Sequence, residues 1–232
     1  MKIVALGGGN ISETSAVDRF IVSLTEKEKP HFLFLPTASG DGGRYINSVK
    51  RTYKRLGCSV DALCLIRAEY PFAELEERIA KADIIYAGGG NTLRMLDTWK
   101  KCGVIPLLEN AAKRGAVMCG ISAGAMCWFS HGYSDCDFSD TSNSERKFRL
   151  LDGLGFINAV CCPHYDEKGR EAFDFDILDF PCDGIALEND VALVFEGKNY
   201  SLVKNDSLKK AWRFTLSEGA VRKLEILEDF SL

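Results

Sequence analysis

The sequence predicts an α/β fold in which a mostly parallel sheet carries helices on both faces. Short, continuous apolar runs alternate with segments of helical period, which is typical of strands that are buried on both sides. Small residues follow several of these runs, as at Gly7-Gly8-Gly9, Gly88-Gly89-Gly90 and Gly120. The 232 residues contain no low-complexity linker, so we expect one domain over residues 1–232.

The first half of the chain gives the elements of this sheet in order. Lys2 to Leu6 is the first predicted strand, and Val17, Phe20, Ile21 and Leu24 follow at the spacing of one helix face. Each later apolar run reads as a strand and each periodic segment as a helix that crosses over to the next strand in the right-handed sense. Further strands are predicted at 31–35, 59–65, 83–87 and 115–119, and further helices at 45–53, 72–80, from Asn91-Thr92 onward and at 104–112.

The pattern changes beyond Trp128, where the apolar runs become shorter and are joined by turns. We expect this half to be an antiparallel extension at the edge of the sheet. Its predicted strands are 156–162, 184–187, 191–195 and 200–203.

Composition excludes several classes of partner. The 29 basic and 33 acidic residues give a net charge of −4, which offers no electrostatic footprint for nucleic acid or an anionic membrane. The apolar run at Met1 to Leu6 is too short for a signal peptide, and no 18 apolar residues run together, so we expect a cytoplasmic protein. The nine cysteines form no CxxC pair, so we expect buried thiols, no metal and no cofactor. The oligomeric state stays open.

The segment Gly120-Ile121-Ser122-Ala123-Gly124 has the GxSxG pattern of a nucleophile elbow. In this strand-to-helix turn the serine backbone is strained, and side chains at the two glycines would collide with the neighbouring elements. Ser122 is therefore the candidate nucleophile. The alternative is a strand that ends in an ordinary glycine-rich helix cap.

A serine nucleophile needs a base, and the chain contains three histidines. His31 begins a predicted strand, and His131 lies nine residues after Ser122. His164 stands at the end of an apolar run, in Cys162-Pro163-His164-Tyr165-Asp166, on the same sheet edge as the elbow. We therefore predict His164 as the base.

The remaining groups are a carboxylate for the imidazole and donors for an oxyanion. Asp135 is our first choice for the acid and Asp137 competes with it, although either can be a solvated turn residue. The N–H of Ala123 is one expected oxyanion donor, and the triple glycine around Gly89 supplies the other. Phosphate binding by glycines is the rival, but neither GxGxxG nor GxxxxGK[ST] occurs.

Three motifs together resemble the peptidase E family of serine peptidases, which comprises the aspartyl dipeptidases and their cyanophycinase relatives. They are Tyr86-Ala87-Gly88-Gly89-Gly90-Asn91-Thr92, Gly120-Ile121-Ser122-Ala123-Gly124-Ala125 and Pro163-His164-Tyr165-Asp166. The resemblance implies a flavodoxin-like sheet related to that of class I glutamine amidotransferases, a Ser-His-acid triad and hydrolysis of dipeptides with an N-terminal aspartate. It matches Ser122 to the nucleophile, His164 to the base and Gly89 to the loop donor, and it does not choose the acid.

The same resemblance implies a cation for the substrate aspartate. Arg170 lies six residues after His164, and aspartyl dipeptidases have an arginine in the segment after their catalytic histidine. We expect its guanidinium to bind the carboxylate in bidentate fashion, as Lys168 could not. The alternative is a surface arginine paired with Glu167 or Glu171.

The sequence thus predicts a metal-free serine peptidase whose partner is a small peptide. An esterase or isopeptidase with the same triad is the first alternative. A catalytically silent small-molecule binding protein of the same fold is the second. A glutaminase is disfavoured, because its elbow would carry cysteine where this chain has Ser122.

Overall fold

The computed structural model describes residues 1–11, 14–135, 148–197, 199–217, 220–227 and 230–231. Within these ranges the chain forms strands and helices in the alternation that the sequence predicts. The strands are β1 (Lys2–Leu6), β2 (His31–Leu35), β3 (Ser59–Ala62), β4 (Ile84–Ala87), β5 (Val117–Ile121), β6 (Phe129–Ser134), β7 (Arg149–Asp152), β8 (Ile157–Cys162), β9 (Gly184–Leu187), β10 (Val191–Glu196), β11 (Asn199–Lys204), β12 (Ala211–Ser217), β13 (Ala220–Glu225) and β14 (Phe230–Ser231). The helices are α1 (Ser15–Ser23), α2 (Gly43–Arg55), α3 (Phe72–Lys81), α4 (Thr92–Cys102), α5 (Ile105–Arg114), α6 (Ala123–Met126) and α7 (Phe173–Asp176).

Among the described residues, the larger sheet has eight strands in the order β14-β11-β10-β1-β5-β4-β2-β3. Strands β1, β5, β4, β2 and β3 pair in parallel, which confirms the prediction for the first half of the chain. Strands β10 and β11 continue the sheet beyond β1 in antiparallel fashion, so the predicted antiparallel edge is confirmed for these two. The finer likeness to the glutamine amidotransferase sheet stays a prediction, as does the single domain.

A second sheet differs from the prediction. The described residues form six strands in the order β13-β12-β9-β8-β6-β7, where β8 pairs in parallel with both β6 and β9. The expectation that β8 and β9 extend the edge of one sheet is therefore wrong. Apolar runs show that a segment is a strand, but the partner of each strand is set by long-range packing that a local pattern does not contain.

The helices cover both faces of the larger sheet, as predicted. On one face, α1 and α2 bury Val17, Ile21, Val49 and Tyr53 against the strands. On the other face, α3, α4 and α5 bury Leu75, Ile79, Met95, Trp99 and Leu108. In the described part of the chain, no helix is both long enough and apolar enough to cross a membrane.

The described cysteines are buried or half-buried thiols, and the prediction of buried thiols is confirmed for most of them. Five thiols are buried and three are half-buried, all of them unpaired, while Cys136 lies outside the described residues. Burial raises the pKa of the Cys119, Cys127 and Cys161 thiols well above the usual range, so these groups stay neutral.

Four loops, two from each sheet, meet at one place and position the candidate site. The N–H of Ser122, directly after β5, donates to Leu6 O at 3.0 Å. The N–H of His164, shortly after β8, donates to Gly7 O at 3.1 Å, and Tyr165 N–H donates to Leu187 O of β9 at 3.0 Å. Backbone hydrogen bonds therefore connect the carboxyl ends of β1, β5, β8 and β9.

Candidate active site

The chain makes the predicted strained turn at Ser122. Strand β5 ends at Ile121, α6 begins at Ala123, and Ser122 between them has φ 55° and ψ −114°. A non-glycine residue in this region is strained and persists only where the surrounding structure imposes it. A Cβ at Gly120 would lie 1.9 Å from Gly124 O, so the close backbone packing accounts for this glycine.

Ser122 and His164 are in hydrogen-bond contact. The Oγ of Ser122 lies 2.7 Å from Nε2 of the imidazole. His164 also has a positive φ, of 55°, and its ring packs against the loop that follows β1. A Cβ at Gly8 would lie 2.4 Å from His164 Nδ1, so the imidazole approaches the backbone where only a glycine fits.

The other ring nitrogen of His164 faces two acceptors. Nδ1 lies 2.8 Å from Asn189 Oδ1 and 3.1 Å from Glu167 Oε1. The orientation of the Asn189 amide is set by its neighbours, because Nδ2 donates to Asp166 Oδ1 at 3.1 Å and to Glu167 Oε1 at 3.0 Å. The amide oxygen therefore points at the imidazole, and only a protonated Nδ1 can donate to it.

This arrangement leaves Nε2 of the neutral imidazole without a proton. It can then accept from the Ser122 hydroxyl, which is the proton arrangement that a general base needs. Asp166 supports the arrangement, because its Oδ1 also accepts from the backbone N–H of Asn189 at 2.8 Å. Partial burial raises the pKa of Asp166. The Lys209 ammonium and the Asn189 N–H outweigh this effect and hold the pKa below its usual range.

The structure does not bring Asp135, the predicted acid, to His164. Its carboxylate accepts instead from Arg170, with Oδ2 and Nη2 3.1 Å apart. The physical reason is that an unpaired charge is more costly when it is buried. The buried guanidinium of Arg170 therefore gains more from the carboxylate than the half-exposed imidazole would. The expectation is corrected accordingly, because the groups at Nδ1 are Asn189 and Glu167. The competing candidate, Asp137, lies outside the described residues.

Arg170 fits neither of the two expectations for it. Only 4% of the residue is exposed, so it is not a surface arginine, and its partners are not Glu167 or Glu171. It donates to Tyr133 O at 3.1 Å as well as to Asp135, and its guanidinium lies 4.5 Å from the centre of the Phe148 ring. These contacts hold Arg170, which begins a short 3-10 helix, against the second sheet, and it does not line the cavity at Ser122.

A cavity of about 480 Å³ opens at the Ser-His pair. Its wall includes Gly9, Tyr45, Ser48 and Gly89 beside the pair. The N–H of Gly89 donates to the Tyr45 hydroxyl at 3.4 Å, and both residues line the cavity. Burial raises the pKa of Tyr45 to about 12, so its hydroxyl stays protonated. Ala123 is the first residue of α6, and the N–H of a first helical residue has no partner within its own helix.

The other two histidines lie elsewhere. His131 is in β6, where its Nδ1 is 3.0 Å from the exposed Asp152. His31 begins β2, and its backbone N–H donates to Asp83 at 2.8 Å. Of the three histidines, only His164 contacts Ser122 in the described part of the chain.

Sequence reasoning missed Glu167, Asn189, Gly8 and Tyr45. The predicted acids, Asp135 and Asp137, precede His164 in the chain, whereas both groups at Nδ1 follow it. A signal for Asn189 existed, because Glu188-Asn189-Asp190 directly follows β9 and polar residues after a strand meet at the site edge. Glu167 lies only three residues after His164, within reach of the imidazole if the intervening chain turns.

The fold and the Ser-His pair define a hydrolase of the serine type. The sequence model of peptidase family S51 matches residues 3–203, so the chain belongs to peptidase family S51, the family of serine-type peptidases that the motifs indicate. The resemblance to peptidase E proteins is thereby confirmed.

Comparisons with individual proteins agree with this family. The chain is 35% identical over 232 residues to the uncharacterized peptidase YgaJ of Bacillus subtilis, covering 97% of this chain and 96% of that protein. It is 43% identical over 91 residues to peptidase E of Salmonella arizonae, covering 38% of this chain and 37% of the relative. A peptidase from an acI-B1 actinobacterium has a similar fold, with a TM-score of 0.76 at 22% identity over 100% of this chain and 96% of the other.

Proposed function

We propose that this protein hydrolyses small peptides through an acyl-enzyme intermediate on Ser122, with His164 as general acid and base. The observation that carries the proposal is the 2.7 Å contact between Ser122 Oγ and an imidazole whose Nδ1 proton is directed to Asn189. A serine in such a contact loses its proton as it attacks, which makes a weak nucleophile effective.

The residues at the site account for each step. Ser122 Oγ attacks the peptide carbonyl while His164 Nε2 takes its proton, and the oxyanion forms in the cavity near the N–H groups of Ala123 and Gly89. The imidazolium then gives the proton to the leaving amine, and water hydrolyses the ester by the reverse sequence. Glu167 and Asn189 stabilise the imidazolium through its Nδ1 proton.

The substrate we propose is a short peptide with an N-terminal aspartate, cleaved in the cytoplasm without a metal or cofactor. Support comes from the three motifs shared with aspartyl dipeptidases and from the local identity with peptidase E of Salmonella arizonae, 43% over 91 residues. Arg170 gives no support, since its described donors are used within the second sheet.

The first test is labelling by a fluorophosphonate probe together with peptide hydrolysis. The wild type should be labelled, and Ser122→Ala should lose both the label and about 10⁴- to 10⁶-fold in kcat, because triad members act as a unit. Ser201→Ala, a serine on β11 away from the site, is the matched control and should behave as the wild type.

A panel of Asp-X, Glu-X, isoaspartyl and N-terminally blocked peptides then tests the substrate. Turnover of Asp-X peptides with little turnover of blocked ones is the expected result. Labelling with hydrolysis of simple esters but of no peptide would favour the esterase alternative. A wild type that the probe does not label would instead be a silent binding protein.

A further inference from the structure

A second cavity, of about 300 Å³, adjoins the one at Ser122. The two share Ile11 and Ser48 in their walls, so they lie side by side. The second cavity runs along α2, where Ser48, Arg51, Thr52 and Arg55 line it. Tyr45 begins the same helix face at the first cavity, three residues before Ser48.

The two arginines give this second cavity a positive charge. Both are exposed, and among the described residues neither forms an ion pair or hydrogen bond with another side chain. Of the residues that the structure describes in this wall, Asp18 is the one carboxylate, and it is already engaged, because its oxygens accept from Thr14 at 3.0 Å and from Tyr53 at 2.7 Å. Asp18 is also fully buried, so it does not compete for the guanidiniums.

The cavity at Ser122 contains no comparable cation. Its described wall has no lysine or arginine, and His164 is the one titratable base in it. In the adjoining cavity, by contrast, Arg51 and Arg55 are lining cations that a substrate carboxylate can meet. Arginine suits this task, since its planar fork of donors matches a carboxylate.

We propose that Arg51 and Arg55 bind a carboxylate on the leaving part of a peptide substrate, about three to five residues from the scissile bond. At about 1.5 Å per helical residue, Arg51 and Arg55 lie about 9 and 15 Å along α2 from Tyr45. An extended peptide covers about 3.3 Å per residue, which gives that separation. The inference rests on the proposed function, in which the acyl part is a single residue and only the leaving part can extend so far.

Two chemical sources can supply the carboxylate, the C-terminus or an acidic side chain. The test compares Asp-Ala-Ala-Ala-Ala as the free acid, the same peptide as its C-terminal amide, and the amide of Asp-Ala-Ala-Ala-Glu. The wild type should prefer the acid, the glutamate peptide or both over the alanine amide by about two- to fivefold in kcat/KM, the range for exposed charge pairs. The difference should lie in KM and shrink as salt is added.

The decisive variant is Arg51→Met/Arg55→Met, with Lys54→Met on the same helix as a control that removes charge outside the cavity. The double variant should cleave all three peptides at the rate that the wild type shows for the alanine amide. Lys54→Met should keep the preference. Equal rates of the wild type on all three peptides, or a preference that survives in the double variant, would overturn the proposal.

Calorimetric titration of these peptides into Ser122→Ala separates this inference from the proposed function. If the wild type cleaves no peptide but Ser122→Ala binds the carboxylate-bearing peptides more tightly, and the two arginine changes remove that difference, the function fails and the subsite stands. If peptides are cleaved and bound without regard to the carboxylate, the subsite fails and the function stands.

Discussion

The asparagine amide at His164 controls which ring nitrogen carries the proton. The neutral amide of Asn189 accepts from Nδ1 and so orients the imidazole. The Glu167 carboxylate beside it carries the negative charge that stabilises an imidazolium. The side chain of Glu167 is 56% exposed, so solvent screens much of that charge. Orientation and charge, which one buried aspartate often supplies together, are thus divided between two residues here.

This division predicts unequal effects of substitution. Asn189→Leu should lower kcat by about 10²-fold, because the Nδ1 proton loses the acceptor that fixes the tautomer. Glu167→Gln should lower kcat by about tenfold or less, because an exposed carboxylate is replaced by a group that still accepts. Steady-state kinetics on an Asp-X peptide measures both.

Asp135→Asn is the control for this pair, since the described contact of Asp135 is with Arg170, and its kcat should stay close to that of the wild type. A large loss of kcat in Asp135→Asn, together with a wild-type kcat in Asn189→Leu, would mean that Asp135 is the acid after all.

At the scale of elements, the site depends on how closely β5 and α6 pack. The turn at Ser122 brings α6 against β4 so tightly that a Cβ on Gly124 would lie 2.0 Å from Ala87 O. Backbone atoms cannot move away as a flexible side chain can, so the strained serine is held by rigid neighbours on both sides.

We therefore expect Gly124→Ala to destabilise the fold. The methyl group forces a backbone shift, which should lower the free energy of unfolding by about 1–3 kcal/mol. Urea titration measures this change. Gly43→Ala is the matched control, because a Cβ at Gly43, the first residue of α2, meets no atom within 4 Å. Its stability should equal or slightly exceed that of the wild type. Equal stabilities of the two variants would contradict the packing argument.

At the scale of the whole molecule, a buried carboxylate connects two helices behind the site. Asp18 of α1 is fully buried and accepts from the Tyr53 hydroxyl of α2. Burial raises the pKa of Asp18 from its ordinary value of 3.8 to about 6, although the hydrogen bonds from Tyr53 and Thr14 oppose the shift. The folded protein therefore holds this proton at pH values where the unfolded chain has lost it.

Stability should fall as pH rises through this window. Between about pH 4 and pH 6 the folded state binds more protons than the unfolded state, so the contribution of Asp18 to the free energy of unfolding decreases by about 1.4 kcal/mol per pH unit, or about 3 kcal/mol in all. Above about pH 6 the loss is complete. Asp18→Asn cannot ionise and keeps the hydrogen bonds, so its stability relative to the wild type should grow from pH 4 to pH 6 and then stay constant.

Urea unfolding at a series of pH values checks this prediction. Asp97→Asn, an exposed aspartate on α4, is the control, and its curve should run parallel to that of the wild type. Parallel curves for Asp18→Asn and the wild type would mean that Asp18 ionises in the folded state as it does in the unfolded chain.

The sequence by itself determined the parallel half of the larger sheet, the helices on its two faces and the elbow at Ser122. These features arise from local causes, such as apolar periodicity, small residues at strand ends and a strained turn that demands glycine neighbours. It also pointed to His164, the histidine that follows an apolar run, although the strand before it, β8, belongs to the second sheet rather than to the sheet of the elbow.

Only the tertiary structure decided the groups that face His164 Nδ1 and the sheet that β8 and β9 join. Asn189 reaches the imidazole because β9 lies beside β8, a pairing between segments far apart in the chain. The Asp135 carboxylate pairs with Arg170 instead of His164, because the guanidinium is buried next to it. Both outcomes depend on the free energy of burying a charge or pairing a strand at a particular place, which a local pattern of residues does not carry.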